Sequence, residues 1–239
     1  MSEGQEPIVF VIQNGPYVVR GGVGLKIQSI GVDAEGASET WVEEETLEVG
    51  AKYSLCRCGH SKEAPFCDGT HREIGFDGTE TALKTPYDEV KEVVDGPRVQ
   101  LEDARCFCAM ARFCDRGKDA WDGAAVADDD AALEHLRSQV ADCPSGRLRL
   151  RNKATGELIE PSFPLEIIVS EDPSEGCSGP LWVRGGIVLE GADDVRYEVR
   201  NRMTLCRCGA SKNKPFCDGS HVEIKYRAHR PLESEVAPE

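Results

Sequence analysis

The chain lacks any long apolar run and is short of positive charge. Its longest early apolar stretch, Ile8 to Ile12, is five residues, against the roughly twenty needed to cross a bilayer, and no basic and apolar signal pattern precedes it. Lys and Arg number 28 against 43 Asp and Glu, a formal net charge of −15 over 239 residues. A phosphate backbone or an anionic membrane surface would be repelled by most of such a surface. The sequence therefore points to a soluble, cytoplasmic protein whose partners are other proteins, with no nucleic acid and no membrane. The Gly21-Gly22 and Gly185-Gly186 pairs have no Lys-Ser/Thr after them, so turns explain them better than a phosphate loop. No nucleophile and base stand in a recognisable pairing, which argues against an enzyme.

Cysteine, by contrast, is abundant. Eleven cysteines form an odd number with clustered C-x-C spacing, and histidines follow in fixed register, a pattern of metal ligation in a reducing compartment rather than of disulfides. C-R-C-G-H-S-K-E-A-P-F-C-D-G-T-H runs from Cys56 to His71, and C-R-C-G-A-S-K-N-K-P-F-C-D-G-S-H from Cys206 to His221. Cys56 and Cys58, two apart, lie on one side of an extended segment and can chelate one metal. Asp68 can cap a helical turn that brings Cys67 and His71 onto one face, four apart. Cys206, Cys208, Cys217 and His221 repeat the set. Two facing pairs suit a two-iron cluster with two protein ligands per iron, and a single zinc would also accept Cys3His, although zinc knuckles usually use C-x2-4-C spacing.

Both segments resemble the CDGSH iron-sulfur family, also called NEET proteins. Its pattern C-x-C-x2-S/T-x3-P-x-C-D-G-S/A/T-H is met twice without a mismatch, including Ser61 and Pro65 in the first copy and Ser211 and Pro215 in the second. The resemblance implies two 2Fe-2S clusters, with Cys56 and Cys58 on one iron and Cys67 and His71 on the other, repeated in the second copy. It also implies that each histidine lies at a solvent edge, and that a chain with two motifs does not need to dimerise, so that a monomer is plausible. A neutral imidazole in place of a thiolate raises the reduction potential and can be protonated, so cluster loss at mildly acidic pH is expected. The functions implied are single-electron transfer with redox protein partners or, alternatively, delivery of 2Fe-2S clusters or iron to cluster-accepting apo-proteins.

The repeat extends upstream, where Gly15 to Gly22 matches Gly179 to Gly186. These blocks repeat at a spacing of 164 and the cysteines at 150, so the first copy carries fourteen extra residues between Leu25 and Gly50, most easily absorbed by a loop or hairpin. Residues 53–55 and 203–205 alternate as strands entering the motifs, and residues 73–76 and 223–226 alternate again after them. The expected fold is α+β and β-rich: a first CDGSH unit over 1–99, a central unit over 100–164, a second CDGSH unit over 165–230 and a disordered tail over 231–239, with the two copies paired by pseudo-twofold symmetry. In the centre, Leu101 to Cys114 reads as a short helix, and Asp128-Asp129-Asp130 opens a second over residues 131–140. Leu148 to Leu150 and Leu158-Ile159 flank a hairpin turn. Cys108 and Cys114 form C-x5-C with a distant Cys143-Pro144, which resembles small ferredoxins and a divergent mono-cluster relative and implies a third cluster, 3Fe-4S or 4Fe-4S. Ala111 stands where a ferredoxin has its middle cysteine. Cys106 is the candidate fourth ligand.

Overall fold

Alternating β-branched and polar residues build most of the chain. In the computed structural model, which describes residues 6–229, the first stretch folds as β1 (Ile8–Val11), β2 (Tyr17–Arg20), β3 (Gly24–Val32), β4 (Ser38–Leu47) and β5 (Lys52–Leu55). A one-turn helix α1 (Thr70–Glu73) closes the first cysteine segment, and α2 (Tyr87–Val90) leads into β6 (Glu92–Asp95) and β7 (Val99–Asp103). The 3-10 turns Arg105–Phe107 and Phe113–Asp115, helices α3 (Ala120–Val126) and α4 (Asp130–Ala141), and strands β8 (Leu148–Asn152) and β9 (Leu158–Ile159) complete the middle. Then come β10 (Glu166–Asp172), β11 (Cys177–Arg184), β12 (Val188–Glu190), β13 (Arg202–Leu205) and α5 (Ser220–Glu223). The fold is mixed α+β, rich in strand and poor in helix, with three sheets.

Two of the sheets trade strands between the copies. One has the order β12-β1-β2-β5 and the other β13-β11-β10-β3-β4. Strand β12 of the second copy lies parallel to β1, with Ile8 opposite Val188, while β3 of the first copy lies parallel to β10, with Gly24 opposite Glu166. Their inner faces form one core that mixes both copies, Val9, Tyr17, Val19 and Leu25 with Ile167, Leu181, Val183 and Leu205. Burying that apolar face is what fixes the register, because a one-residue slip would turn every one of these side chains outward.

The third sheet, β6-β7-β8-β9, carries α3 and α4 on a second core of Val99, Leu101, Ala124, Leu133, Leu136, Val140, Leu148 and Leu150. Asp119 and Asp129 cap these helices, accepting from the backbone N–H groups of Trp121 and Asp122 and of Ala132. The extra residues of the first copy do lie in a hairpin, β3–β4, and they hold the central unit in place. Trp41 donates its indole N–H to Asp142 O at 3.1 Å and packs at 5.0 Å from both Phe113 and Trp182.

Two expectations need correction. Residues 101–114 are not a helix: Leu101 belongs to β7, and Met110 (φ 56°) and Arg112 (φ 63°) adopt the left-handed backbone that an α-helix excludes. Residues 73–76 and 223–226 are not strands, because the CDGSH turn runs into α1 and α5 and leaves Ile74 and Ile224 exposed. The central sheet starts at Glu92, ahead of residue 100. The tail 231–239 lies outside the described residues. Among the described residues no helix is long and apolar enough to cross a membrane.

Candidate metal centres

Each CDGSH segment is entered along a strand, β5 or β13, whose last residue delivers the first cysteine into a tight loop. Cys56 N–H donates to Pro65 O at 2.8 Å and Cys67 N–H to Ser54 O at 3.0 Å; Cys206 N–H donates to Pro215 O and Cys217 N–H to Thr204 O, both at 2.9 Å. Asp68 accepts from Lys62 N at 2.8 Å and Thr70 N at 2.9 Å, which holds its carboxyl down at about 2. Asp218 does the same for Lys212 and Ser220. These aspartates set the turn that starts the helix, so they serve the loop and not the metal.

The ligand candidates then fall into pairs. Cys56 and Cys58 Sγ are 3.7 Å apart, as are Cys206 and Cys208 Sγ. Cys67 Sγ stands 3.3 Å from His71 Nδ1, and Cys217 Sγ 3.4 Å from His221 Nδ1. Two thiolates at about 2.3 Å from one ion, at the tetrahedral angle, lie about 3.8 Å apart. Each pair therefore fits one metal. Each motif thus offers two donor pairs, one position per metal, which suits a centre with two metals.

The surroundings favour thiolate at the leading cysteines. Cys56 and Cys206 are pushed down by the hydrogen bond from the neighbouring thiol, against the opposing effect of burial, with backbone N–H groups of residues 59, 61, 209 and 211 adding to it. Cys58 and Cys208 move up for the same reason, since each keeps its proton as the donor of that hydrogen bond. Burial pushes Cys217 well up and pulls His221 down to about 4. The histidines are not at a solvent edge: His71 and His221 are 9% and 3% exposed.

The two segments meet. Cys58 and Cys208 form an antiparallel bridge, and a Cβ on Gly59 would stand 2.5 Å from Cys208 O, as one on Gly209 would from Cys58 O. Glycine is required at both positions for the backbones to approach. Two further side chains, which the motif pattern did not reveal, hold the sites. Tyr17 of the first copy donates to Cys206 O at 2.8 Å and Pro215 O at 3.0 Å in the second. The arginines of the two C-R-C triplets are buried anchors, Arg57 donating to Ile12 O and Gly78 O, and Arg207 to Gly179 O, Ser170 O and Glu171. The sequence signal for Tyr17 is its mismatch with Leu181, one of two in the repeated block, the other being Val18 with Trp182.

In the centre, Cys108, Cys114 and Cys143 line one narrow recess of about 20 Å³ together with Met110, Ser145 and Arg147. Cys114 is pushed up to about 12 by burial, with Cys143 and Cys108 adding to the shift. Arg147, paired with Asp103 at 2.6 Å, places positive charge beside Cys108. The buried Arg202 of β13 fixes the loop of Cys143 by donating to Cys143 O at 2.7 Å and Val140 O at 2.9 Å. Cys106 is not brought to this recess: it is exposed and opens onto a different one, beside Phe107 and Asn213.

Such a set, two pairwise Cys3His sites and a three-thiol recess, defines an iron-sulfur protein. Residues 14–72 and 178–222 match the iron-binding zinc finger CDGSH type, and residues 94–153 match a divergent 4Fe-4S mono-cluster family. The chain thus carries two CDGSH segments, which imply 2Fe-2S sites, flanking a divergent 4Fe-4S mono-cluster domain. Comparison with curated proteins and with solved structures gives no match.

Proposed function

We propose that the chain is a monomeric one-electron carrier that exchanges electrons with protein partners and catalyses no reaction of its own. When bound, 2Fe-2S clusters supply single-electron chemistry. Cys56, Cys58, Cys67 and His71, and their counterparts Cys206, Cys208, Cys217 and His221, are the residues that hold them. Cys108, Cys114 and Cys143 hold the central centre. The pairing of the two CDGSH segments as a pseudo-twofold within one chain is supported by the reciprocal strand exchange and by the Cys58–Cys208 bridge.

The observation that carries the reading is contiguity. The two CDGSH segments touch through Cys58 and Cys208, and the central segment touches the second through Phe107 and Phe216, whose rings meet edge-on at 5.3 Å. Backbone N–H groups aimed at Cys56 and Cys206, and neutral histidines in place of thiolates, both favour the reduced form. A series of adjoining sites in one body suits electron passage. One observation favours delivery of clusters instead, the partial exposure of Cys67. Reversible reduction and reoxidation with iron and sulfide content unchanged is the expected result. Stoichiometric loss of colour to an added apo-ferredoxin, without reversible reduction, would replace this reading with the carrier one.

A further inference from the structure

The two CDGSH sites have the same ligand pattern but different surroundings. Cys217, Gly219 and Phe216 are buried, whereas their counterparts Cys67, Gly69 and Phe66 are half-exposed. The difference comes from the central unit. The Met110 side chain lies where a Cβ on Gly219 would be, while nothing stands within 4 Å of a Cβ on Gly69. Asn213 donates to Cys106 O at 2.9 Å, and the first copy has Glu63 at that position, which cannot donate. Arg112 clamps the same segment to β10, forking onto Asp172 at 2.7 and 3.1 Å and reaching Ser174 at 3.1 Å. Both Met110 and Arg112 are held in left-handed backbone, a conformation that non-glycine residues keep only where the surroundings impose it. Among the described residues no hydrogen bond or ion pair joins 100–164 to 56–71.

We infer that Ala109–Arg112 is a cover over the second CDGSH site, making that site a retained interior centre and leaving the first as the one that exchanges with outside partners. The inference rests on both motifs being cluster sites. The cover keeps water and chelators from Cys217 and His221 and ties their loop to the central recess, where Cys108 lies 3.9 Å from Met110. The first site lacks such a cover, so an accepting protein would meet the chain there, against Cys67 and the exposed Arg72 and Ile74.

The test is bleaching of the visible absorbance by an iron chelator at neutral pH. The wild-type chain should bleach the two sites in separate phases. Cys67→Ser, which keeps the second site, should bleach roughly tenfold more slowly than Cys217→Ser, which keeps the first, because opening of the cover must precede attack. Both chains also carry Cys114→Ser, which removes the contribution of the central centre, whose recess Met110 lines. Met110→Gly suits the left-handed backbone and so keeps the path of the segment while removing its side chain. It should remove most of the difference in the Cys67→Ser chain and leave the Cys217→Ser chain unchanged. Equal rates at the two sites, or the same effect of Met110→Gly on both, would overturn the cover while leaving the cluster reading intact. If neither single-site chain absorbs in the visible, the cluster reading itself falls and the cover with it.

Discussion

His71 and His221 are the residues on which the redox chemistry turns. Each replaces an anionic thiolate with a neutral ring, so His71→Cys or His221→Cys should lower the potential of its own site, on the order of 100 mV, and slow acid-driven loss of colour. Redox titration and bleaching as pH falls towards about 4, where burial places His221, measure the two effects; wild-type values for both would rule out this role. Tyr17 acts across the copies. Tyr17→Phe leaves Cys206 O without its Tyr17 donor and Pro215 O with Cys206 N–H alone, at a cost of about 1–3 kcal/mol. The urea midpoint should fall accordingly. Cluster loss should quicken at the second site, although Tyr17 precedes the first.

At the scale of elements, the central sheet is held by one buried carboxylate. Glu102, 1% exposed on β7, meets Lys91 at 2.7 Å, Arg149 at 3.1 Å and Arg151 at 2.7 Å. Burial alone would raise its pKa, but hydrogen bonds from Arg151 and Lys91 and the Arg149 charge outweigh it and the net shift is down. The unfolded chain then binds the extra proton in acid, so this contribution is whole above the ordinary glutamate range, near 4.5, and is lost as pH falls through the lower folded value. Glu102→Gln should cost about 3–5 kcal/mol at neutral pH by leaving Arg151 without its carboxylate and Lys91 and Arg149 with Asp88 alone. The cost should shrink below pH ~4, which urea unfolding at several pH values will reveal. The strands entering the motifs, the Asp-capped α4 and the 148–159 hairpin were all legible, because alternation, caps and turn residues are local signals. The false helix at 101–114 came from counting alanines. What bends that segment is its docking on Gly219 and Asp172, residues that lie 60 or more positions from their contacts in it, which no local pattern carries. The eight paired ligand candidates were readable from spacing alone. Neither the covering of one site nor the remote placement of Cys106 was, since both depend on how separate units pack.

For the whole molecule, iron content separates two filled sites from three. The chain should hold more than about four irons, and Cys114→Ser should return it to about four. A wild-type count of four would leave the three-thiol recess empty. The exchange of strands between copies has a consequence for synthesis. Strand β3 can pair with β4 as soon as both are made, but its other edge waits for β10, since Gly24 lies opposite Glu166. At ribosomal speeds of about 5–20 residues per second, that edge stays open for roughly seven to thirty seconds. The nascent chain thus carries an unpaired, apolar strand edge until most of the protein has emerged, and chains stalled before Glu166 should be the ones that aggregate or require a chaperone.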